Sequence, residues 1–383
     1  MTAVGAQHTD ERSGPQPLTL SRVASLAAIA FFGAMPFLVL VLVFTQAWGG
    51  SIAFDFHQFD DAAHAILDGR SPYPPGGEPT TSWGGPYPYP PLPALLVIAV
   101  APLPFKVAGV LVMLALVAAA LGTLWLLDVR DWRCYGIALM WPPVISAVQT
   151  GNLTLWLALA CALAWRYRDR LLVPAACIGV ALAAKFFLWP VVVWLAATRR
   201  MLAALSACVV GTAALAASWA VIGFAGLADY PHMLGRLEDI VGEDSYTLYI
   251  VGLDLGLPSS IARVGWAAVG VALVVVTVVL GRRGDERSAF VVAVAASLAL
   301  TPIVWLHYFA LLIVVVALAQ PRLGVLWFLP LGMLLTPGSG HPTPFQTAWT
   351  LALASLIVAL ALRSTLARTR AVSSRPVPLP VAA

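Results

Sequence analysis

The sequence predicts an all-α polytopic membrane protein, and three observations support that prediction. Of the 383 residues, 60% are hydrophobic and only 10% are charged, and the mean hydropathy is +0.88. A soluble domain of this composition would lack the polar residues needed to cover its apolar surface. Apolar runs recur from about residue 23 to residue 362, and because several are shorter than the ~20 residues that a bilayer needs, we expect half-helices or locally thin membrane there. Arginines collect in short clusters between these runs, as they do where they set the orientation of a membrane protein.

The apolar runs predict about 12 transmembrane helices. The first run, Val23 to Trp48, is too long for the hydrophobic core of a signal peptide and has no small-residue cleavage site after it, so we expect an uncleaved span. The predicted spans are 23–48, 107–127, 134–149, 151–166, 171–184, 185–197, 201–224, 261–280, 288–304, 307–319, 323–337 and 345–362. We expect the run 91–104, broken by Pro102 and Pro104, to be re-entrant or interfacial, because both termini are predicted on one side.

Charge predicts the orientation of the chain. Residues 49–91 and 225–260 are rich in aspartate and glutamate and are predicted to be external loops. Fifteen of the twenty arginines lie in the clusters and tails that predict cytoplasmic segments; they are Arg12, Arg22, Arg166, Arg168, Arg170, Arg199, Arg200, Arg282, Arg283, Arg287, Arg322, Arg363, Arg368, Arg370 and Arg375. We therefore expect a cytoplasmic tail over 1–22, one integral-membrane domain over 23–362, and a disordered cytoplasmic tail over 363–383. The net charge of +4 is explained by orientation in the plasma membrane and indicates no nucleic-acid partner.

With this orientation, polar groups at several hairpin tips converge on the external face. Lys185 is one of only two lysines and lies in the apolar stretch ALAAKFFLWP, where a charge is costly and marks function. It is either a fixed cation for a phosphate group or a helix-end anchor at the membrane interface. His307, in TPIVWLHYFALL, is either a binding residue or a core histidine. Trp305 beside it would stack on a sugar face or belong to the interfacial aromatic belt.

The segment after the first span carries several ionisable groups. Asp55 is predicted to hang just above the membrane, as an ordinary loop charge or as a general base that accepts a proton from a hydroxyl. Four residues at helical spacing would form either a metal site or an exposed face: His57, Asp60, Asp61 and His64. The proline- and tyrosine-rich stretch 71–93 is either a flexible polyproline segment or an ordered loop that walls a cavity, and its position beside Asp55 favours the loop.

These elements, in this order, resemble a known family. The first element contains Asp55, Phe59, Leu67, Gly69, Pro72 and Tyr73, and it is followed by YPYPPL at 87–92, QTGNLTLW at 149–156, ALAAKFFLWP and TPIVWLHYFALL. The ordered set resembles the bacterial polyprenyl-phosphate-mannose-dependent mannosyltransferases, glycosyltransferase family 87, which have the GT-C fold. Two departures are Phe59, where tyrosine is commoner in the family, and the displaced glutamine Gln149.

The resemblance implies a catalytic aspartate, carried here by Asp55, and a lipid-phosphosugar donor. It also implies no nucleotide-sugar site, no cofactor and no metal. Lys185 and His307 are then expected near the donor phosphate. Substrate-binding roles are expected for Tyr73, Tyr89, Gln149, Asn152 and Trp305.

The resulting hypothesis is an inverting glycosyltransferase of the external face, moving mannose from a polyprenyl phosphate to a cell-envelope glycan or glycolipid. Three alternatives stay open at this point. The first is a polyprenyl-lipid flippase or transporter, which would place paired charges near the bilayer midplane. The second is the same enzyme class with another lipid-linked sugar, such as a pentofuranose. The third is a membrane scaffold without chemistry, which would leave Lys185 unexplained.

Overall fold

The computed structural model describes residues 20–49, 53–73, 85–336 and 341–373, and within these ranges the chain is helical without a strand. The helices are α1 (Leu20–Ile29), α2 (Met35–Gly49), α3 (Phe54–Leu67), α4 (Pro91–Val97), α5 (Phe105–Leu126), α6 (Trp132–Leu139), α7 (Pro142–Thr150), α8 (Thr154–Arg166), α9 (Leu172–Ala184), α10 (Trp189–Ala197), α11 (Met201–Val221), α12 (Tyr230–Val241), α13 (Leu248–Asp254), α14 (Ser259–Arg282), α15 (Glu286–Ala299), α16 (Leu312–Ala319) and α17 (Pro344–Ser373). A π-helical turn, Ala30–Ala34, joins α1 to α2. Short 3₁₀ helices cover Gly242–Asp244, Leu306–Leu311, Val325–Trp327 and Leu329–Leu335.

Five helices are long and apolar enough to cross a membrane: Ser21–Gln46, Phe105–Leu126, Met201–Val221, Ser259–Arg282 and Pro344–Thr369. The pair α7 and α8 would add a sixth span, bent by 115° at its break. In the described residues the structure thus gives five or six candidate spans, where the sequence predicted about 12. Most of the other predicted spans are helices too short to cross about 30 Å of hydrocarbon by themselves.

Prolines and polar caps explain where several helices are interrupted. The predicted span 134–149 is divided before Pro142, which together with Pro143 disfavours a continuing helix and begins the next one. Asp131 caps α6 and Asp285 caps α15, each accepting a hydrogen bond from a backbone amide in the first turn. Apolar runs that look continuous by hydropathy therefore fold as pairs of short helices.

Two predicted segments differ in structure from the expectation. The external loop 225–260 contains the helices α12 and α13, whereas α3, in the loop 49–91, is the short helix that the spacing of His57, Asp60, Asp61 and His64 predicts. The C-terminal tail was predicted to be disordered from 363, but α17 continues to Ser373, because alanine, leucine and arginine favour a helix there. Residues 1–19, 50–52, 74–84, 337–340 and 374–383 lie outside the described residues, together with the predictions that fall on them.

The short helices form the centre of the molecule and the long ones surround it. All of α16 is buried, as is α15 from Ser288 to Leu298. The long helices α11 and α14 instead leave many leucine and valine side chains exposed, as lipid-facing helices do. The buried centre holds the residues described below.

Arginines and carboxylates meet at one end of the central helices, which we call the arginine-rich end. Glu286 accepts hydrogen bonds from Arg168 at 3.0 Å and from Arg200 at 2.8 Å. Arg200 also donates to Asp169 at 2.6 Å. The other ion pairs at this end join Asp128 to Arg130 and Arg166, and Asp131 to Arg133. Arginine clusters predicted to share one side are therefore paired there with acidic residues.

The opposite end of the same helices carries the polar residues of the apolar core. Helix α8 begins just after Asn152 and ends at Arg166, whereas α9 begins near the arginine-rich end and ends beside Lys185. Each has 13 residues and is therefore about 20 Å long. The two ends are consequently separated by roughly that distance. We call the second one the Asp55 end.

Candidate active site

Helix α3 brings Asp55 against the turn between α7 and α8. The amide of Ala53, just before the helix, donates to the carbonyl of Gln149 at 3.2 Å. Gly151 in that turn has a φ of +71°, and a Cβ there would lie 2.8 Å from the Cβ of Phe56. Only glycine permits both this backbone conformation and this close approach. The first turn of α3 is thereby fixed on the 149–152 turn, with the carboxylate of Asp55 pointing into the protein.

Asn152 holds the carboxylate in place. Its amide nitrogen Nδ2 donates to Asp55 Oδ2 at 2.6 Å. Its Oδ1 accepts hydrogen bonds from both the backbone amide and the hydroxyl of Thr154, at 2.9 and 2.6 Å. Because those partners are donors, the orientation of the amide is determined, and the NH₂ group must face Asp55. Asn152 is buried, so this contact is shielded from solvent.

His307 faces the same carboxylate from the 3₁₀ segment Leu306–Leu311. Its Nε2 lies 3.6 Å from Asp55 Oδ2, and the side chain is buried. The ring of Trp305 lies nearly parallel to the imidazole, with 6.3 Å between the ring centroids. Trp305 itself is only partly buried, which places it at the rim of the cluster.

Lys185 is held in an aromatic cage at the end of α9. Its ammonium group donates a hydrogen bond to the hydroxyl of Tyr308. It lies 3.7 Å from the centroid of the Tyr308 ring and 5.3 Å from that of Tyr89, distances at which ring faces attract a cation. The chain is extended at Lys185, with a φ of −159°, so the helix ends where the side chain enters the cluster.

Burial controls the protonation of Asp55. It raises the pKa of this carboxyl from its ordinary value to about 6, although the Asn152 hydrogen bond, the charge of Lys185 and the nearby Thr150 lower it. An acid with a pKa near 6 is ionised at neutral pH and still basic enough to accept a proton. The described geometry therefore provides a buried base beside a fixed cation.

The two tyrosines predicted from the proline-rich loop occupy different places. Tyr89 is buried next to Lys185, and burial together with neighbouring charges, among them that of Asp55, raises the pKa of its phenol. Tyr73 lies behind it, where its hydroxyl donates to the carbonyl of Tyr89 at 2.5 Å and its ring stacks on Trp219. Tyr73 thus supports the backbone of Tyr89 and does not contact Asp55.

Gln149 does not join the cluster. Its side chain is exposed, although its carbonyl anchors Ala53, because the last turn of α7 directs the neighbouring Thr150 toward Asp55 instead. Sequence reasoning named neither Thr150 nor Tyr308 as site residues. Thr150 directly follows Gln149 and Tyr308 directly follows His307, and this position next to a motif residue was the only indication of their role in the sequence.

The charged face of α3 forms no recognisable metal site. His57 stacks on Phe105 with 3.7 Å between ring centroids, and His64 Nδ1 lies 3.5 Å from Asp60 Oδ2. Across the described part of the chain, no group of three or more histidine, cysteine, aspartate or glutamate residues is placed to hold a metal ion. Of the two alternatives for this face, the exposed face fits only His64, because Asp60 is buried and His57 and Asp61 are partly buried, and no ligand cluster is seen in the described residues.

A comparison with protein-family models identifies the family. The model for glycosyltransferase family 87 matches residues 87–306, which is more than half of the chain. The chain belongs to glycosyltransferase family 87. The resemblance in the sequence motifs is confirmed, and the protein is a membrane glycosyltransferase. Searches of curated proteins and of solved structures found no match.

The range matched by the family 87 model contains part of the cluster. Tyr89, Asn152, Lys185 and Trp305 lie within it. Asp55 precedes the matched range and His307 follows it by one residue. The position of Asp55 in the cluster therefore depends on the geometry described above and not on the family match.

Proposed function

We propose that this family 87 glycosyltransferase moves mannose from a polyprenyl-phosphate donor to a hydroxyl of a cell-envelope glycan or glycolipid, with inversion at the anomeric carbon. One observation supports the proposal most strongly. The buried carboxylate of Asp55 lies 3.6 Å from His307 and close enough to the caged cation Lys185 for that charge to lower its pKa. A base and a fixed cation at this spacing fit a reaction in which a hydroxyl attacks and a phosphate leaves.

In the proposed step, the carboxylate of Asp55 accepts the proton of the acceptor hydroxyl as its oxygen attacks the anomeric carbon. The bond between that carbon and the phosphate oxygen breaks, and polyprenyl phosphate leaves with the electron pair. Lys185 and an Nε2–H of His307 stabilise the charge that develops on the phosphate. A single displacement of this kind inverts the configuration. Asn152 keeps the carboxylate oriented, and Trp305 and Tyr89 are proposed to contact the sugar.

The donor would enter from the lipid. We propose that the short central helices count among about 12 membrane helices in a GT-C arrangement, with the site recessed below the outer surface. The arginine-rich end supports this orientation, because positive segments stay in the cytoplasm and the Asp55 end then faces the outside of the plasma membrane. Membership of a glycosyltransferase family weighs against the flippase alternative.

The direct test incubates the purified protein in lipid nanodiscs with a panel of polyprenyl-phosphate sugars and envelope glycolipids, followed by mass spectrometry. We expect a product one hexose heavier when the mannosyl donor is present. A product formed only from a pentofuranosyl donor would favour the second alternative. Movement of labelled donor across the bilayer without any glycosylated product would contradict the proposed function.

A further inference from the structure

Two buried oxygen atoms beside Asp55 lack hydrogen-bond partners. Over the described ranges, four buried side-chain oxygens are in this state: Gln58 Oε1, Thr150 Oγ1, Asp244 Oδ1 and Gln320 Oε1. Asp244 Oδ1 faces His341, and Gln320 lies at the arginine-rich end. Gln58 lies three residues after Asp55 on α3, and Thr150 lies in the turn that faces Asp55. A buried oxygen left without a partner destabilises the fold, so its retention requires an explanation.

Both oxygens are held at the candidate site by the elements that hold Asp55. Gln58 lies one helical turn after Asp55 on α3, on the same face, and only 7% of its surface is exposed. Thr150 belongs to the 149–152 turn, which is fixed against the start of α3 by Ala53 and Gly151. The two side chains therefore belong to the two elements that meet at Asp55, its own helix and the facing turn.

The chemistry of the missing partner follows from these atoms. An amide Oε1 only accepts hydrogen bonds, so whatever pairs with Gln58 must bring a proton. In this orientation of the amide, an ionised phosphate, which brings no proton, does not pair with Oε1. A sugar hydroxyl brings one, and a hydroxyl can also accept from or donate to Thr150.

We infer that Gln58 Oε1 and Thr150 Oγ1 receive hydroxyl groups of the sugar that reacts at Asp55, and so contribute to substrate selection. This inference rests on the proposed function for the placement of the reaction. It holds for whichever sugar the enzyme uses. The hydroxyls come from the donor sugar or from the acceptor sugar, and the experiment distinguishes these two sources.

The first measurement compares near-isosteric apolar variants, Gln58→Met and Thr150→Val, with the matched control Gln320→Met. We expect all three to melt at the same temperature as wild type or about 1–3 °C above it, because each removes an unpaired buried oxygen. We expect kcat/KM, taken at the maximum of each variant's pH profile because Thr150 also lowers the pKa of Asp55, to fall by about tenfold or more in Gln58→Met and Thr150→Val, and to stay unchanged in Gln320→Met. Thr150→Ser, which retains the hydroxyl, should restore most of the activity.

The second measurement repeats the assay with donors and acceptors that each lack one sugar hydroxyl. If Gln58 binds a given hydroxyl, a substrate that lacks this hydroxyl should have a lower kcat/KM with wild type but an unchanged kcat/KM with Gln58→Met. Whether that substrate is the donor or the acceptor then identifies the source of the hydroxyl. Wild-type kcat/KM in both variants would overturn the inference and indicate an ordered water only at these oxygens. A melting temperature lowered by several degrees in both would also overturn it, because the oxygens would then be paired within the fold.

These outcomes are separable from a failure of the proposed function. If wild type transfers no mannose but uses another sugar of the panel, the same comparisons are made with that sugar. If no sugar is transferred, the proposed function fails, while the melting temperatures still decide whether the oxygens are unpaired.

Discussion

Charged side chains are paired and partly exposed at one end of the central helices, whereas at the other end they are buried and are not paired directly with each other. At the arginine-rich end, Glu286 is neutralised by Arg168 and Arg200 through hydrogen bonds of 2.8 to 3.1 Å, and all three side chains keep some contact with solvent. At the Asp55 end, the carboxylate is buried, its closest partner is the neutral amide of Asn152, and Lys185 is held mainly by aromatic rings.

This difference separates a structural role from a chemical one. Paired charges at a surface satisfy each other and leave little for a ligand to bind. Buried charges that are kept apart are costly for the fold, and they are retained where a substrate completes the pairing. We therefore predict that loss of a charge at the Asp55 end abolishes catalysis, whereas loss of a charge at the arginine-rich end lowers only the stability of the fold.

The largest effect is expected from Asp55→Asn. This variant should lower kcat by about 10²- to 10⁴-fold, because it removes the base without altering the shape of the side chain. Its melting temperature at pH 7 should equal or exceed that of wild type, since burial raises the pKa of this carboxyl and so penalises the ionised form in the folded state. The matched control is Asp60→Asn, a buried carboxylate on the same helix, which should remain active. Wild-type turnover in Asp55→Asn would remove the proposed base.

A second large effect is expected from Lys185→Ala. We predict a loss of about 100-fold in kcat/KM, measured as initial rate against donor concentration, because the leaving phosphate loses its fixed cation. The other lysine of the chain, Lys106, is exposed, and Lys106→Ala serves as the control with near wild-type kinetics. Equal losses in both variants would mean that general charge at the membrane surface, and not the caged ammonium group, supports the reaction.

The pH dependence should show a smaller, graded effect. Since burial raises the pKa of Asp55 to about 6 and the base must be ionised, kcat/KM should fall tenfold per unit below that pH. Over the same interval, from about pH 6 toward 4, the stability of wild type should gain relative to that of Asp55→Asn, because the folded state binds the proton more tightly than the unfolded state does. A rate that stays constant down to pH 4 would contradict the assignment.

The smallest effect on catalysis is expected at the arginine-rich end. Arg200→Ala removes the hydrogen bonds to Glu286 and Asp169 and should lower the free energy of unfolding by about 1–3 kcal/mol. The kcat of the folded fraction should stay at the wild-type value, because this end lies roughly 20 Å from Asp55. A large loss of kcat in a stably folded Arg200→Ala would break the distinction between the two ends.

Hydropathy and charge predicted much of the fold but not its breaks. The all-helical class and the gathering of arginines at one end follow from composition and spacing. The number of spans does not, because hydropathy averages over the break before Pro142, although the short length of runs such as 151–166 does predict half-helices. Whether such helices stand in the membrane depends on their packing, which the sequence alone does not specify.

The sequence predicted the ionisable residues of the candidate site, but it did not predict the uncharged polar residues that surround them. Asp55, Lys185 and His307 stand out against apolar neighbours, and the alternation of helix ends predicts that they meet. Gln149 is predicted from the displaced glutamine of the family motif, and the structure directs the neighbouring Thr150 toward Asp55 instead. Tyr308 and Gln58 carry common polar groups, whose significance appears only when burial and missing partners are known.

The most direct test is an experimental structure of Asp55→Asn with a polyprenyl-phosphate sugar bound in a lipid nanodisc. A phosphate oxygen within hydrogen-bond distance of Lys185 Nζ, with the anomeric carbon facing residue 55, is the predicted result. A donor phosphate bound among the arginines around Glu286, with the pocket at Asn152 and His307 left without sugar, would contradict it.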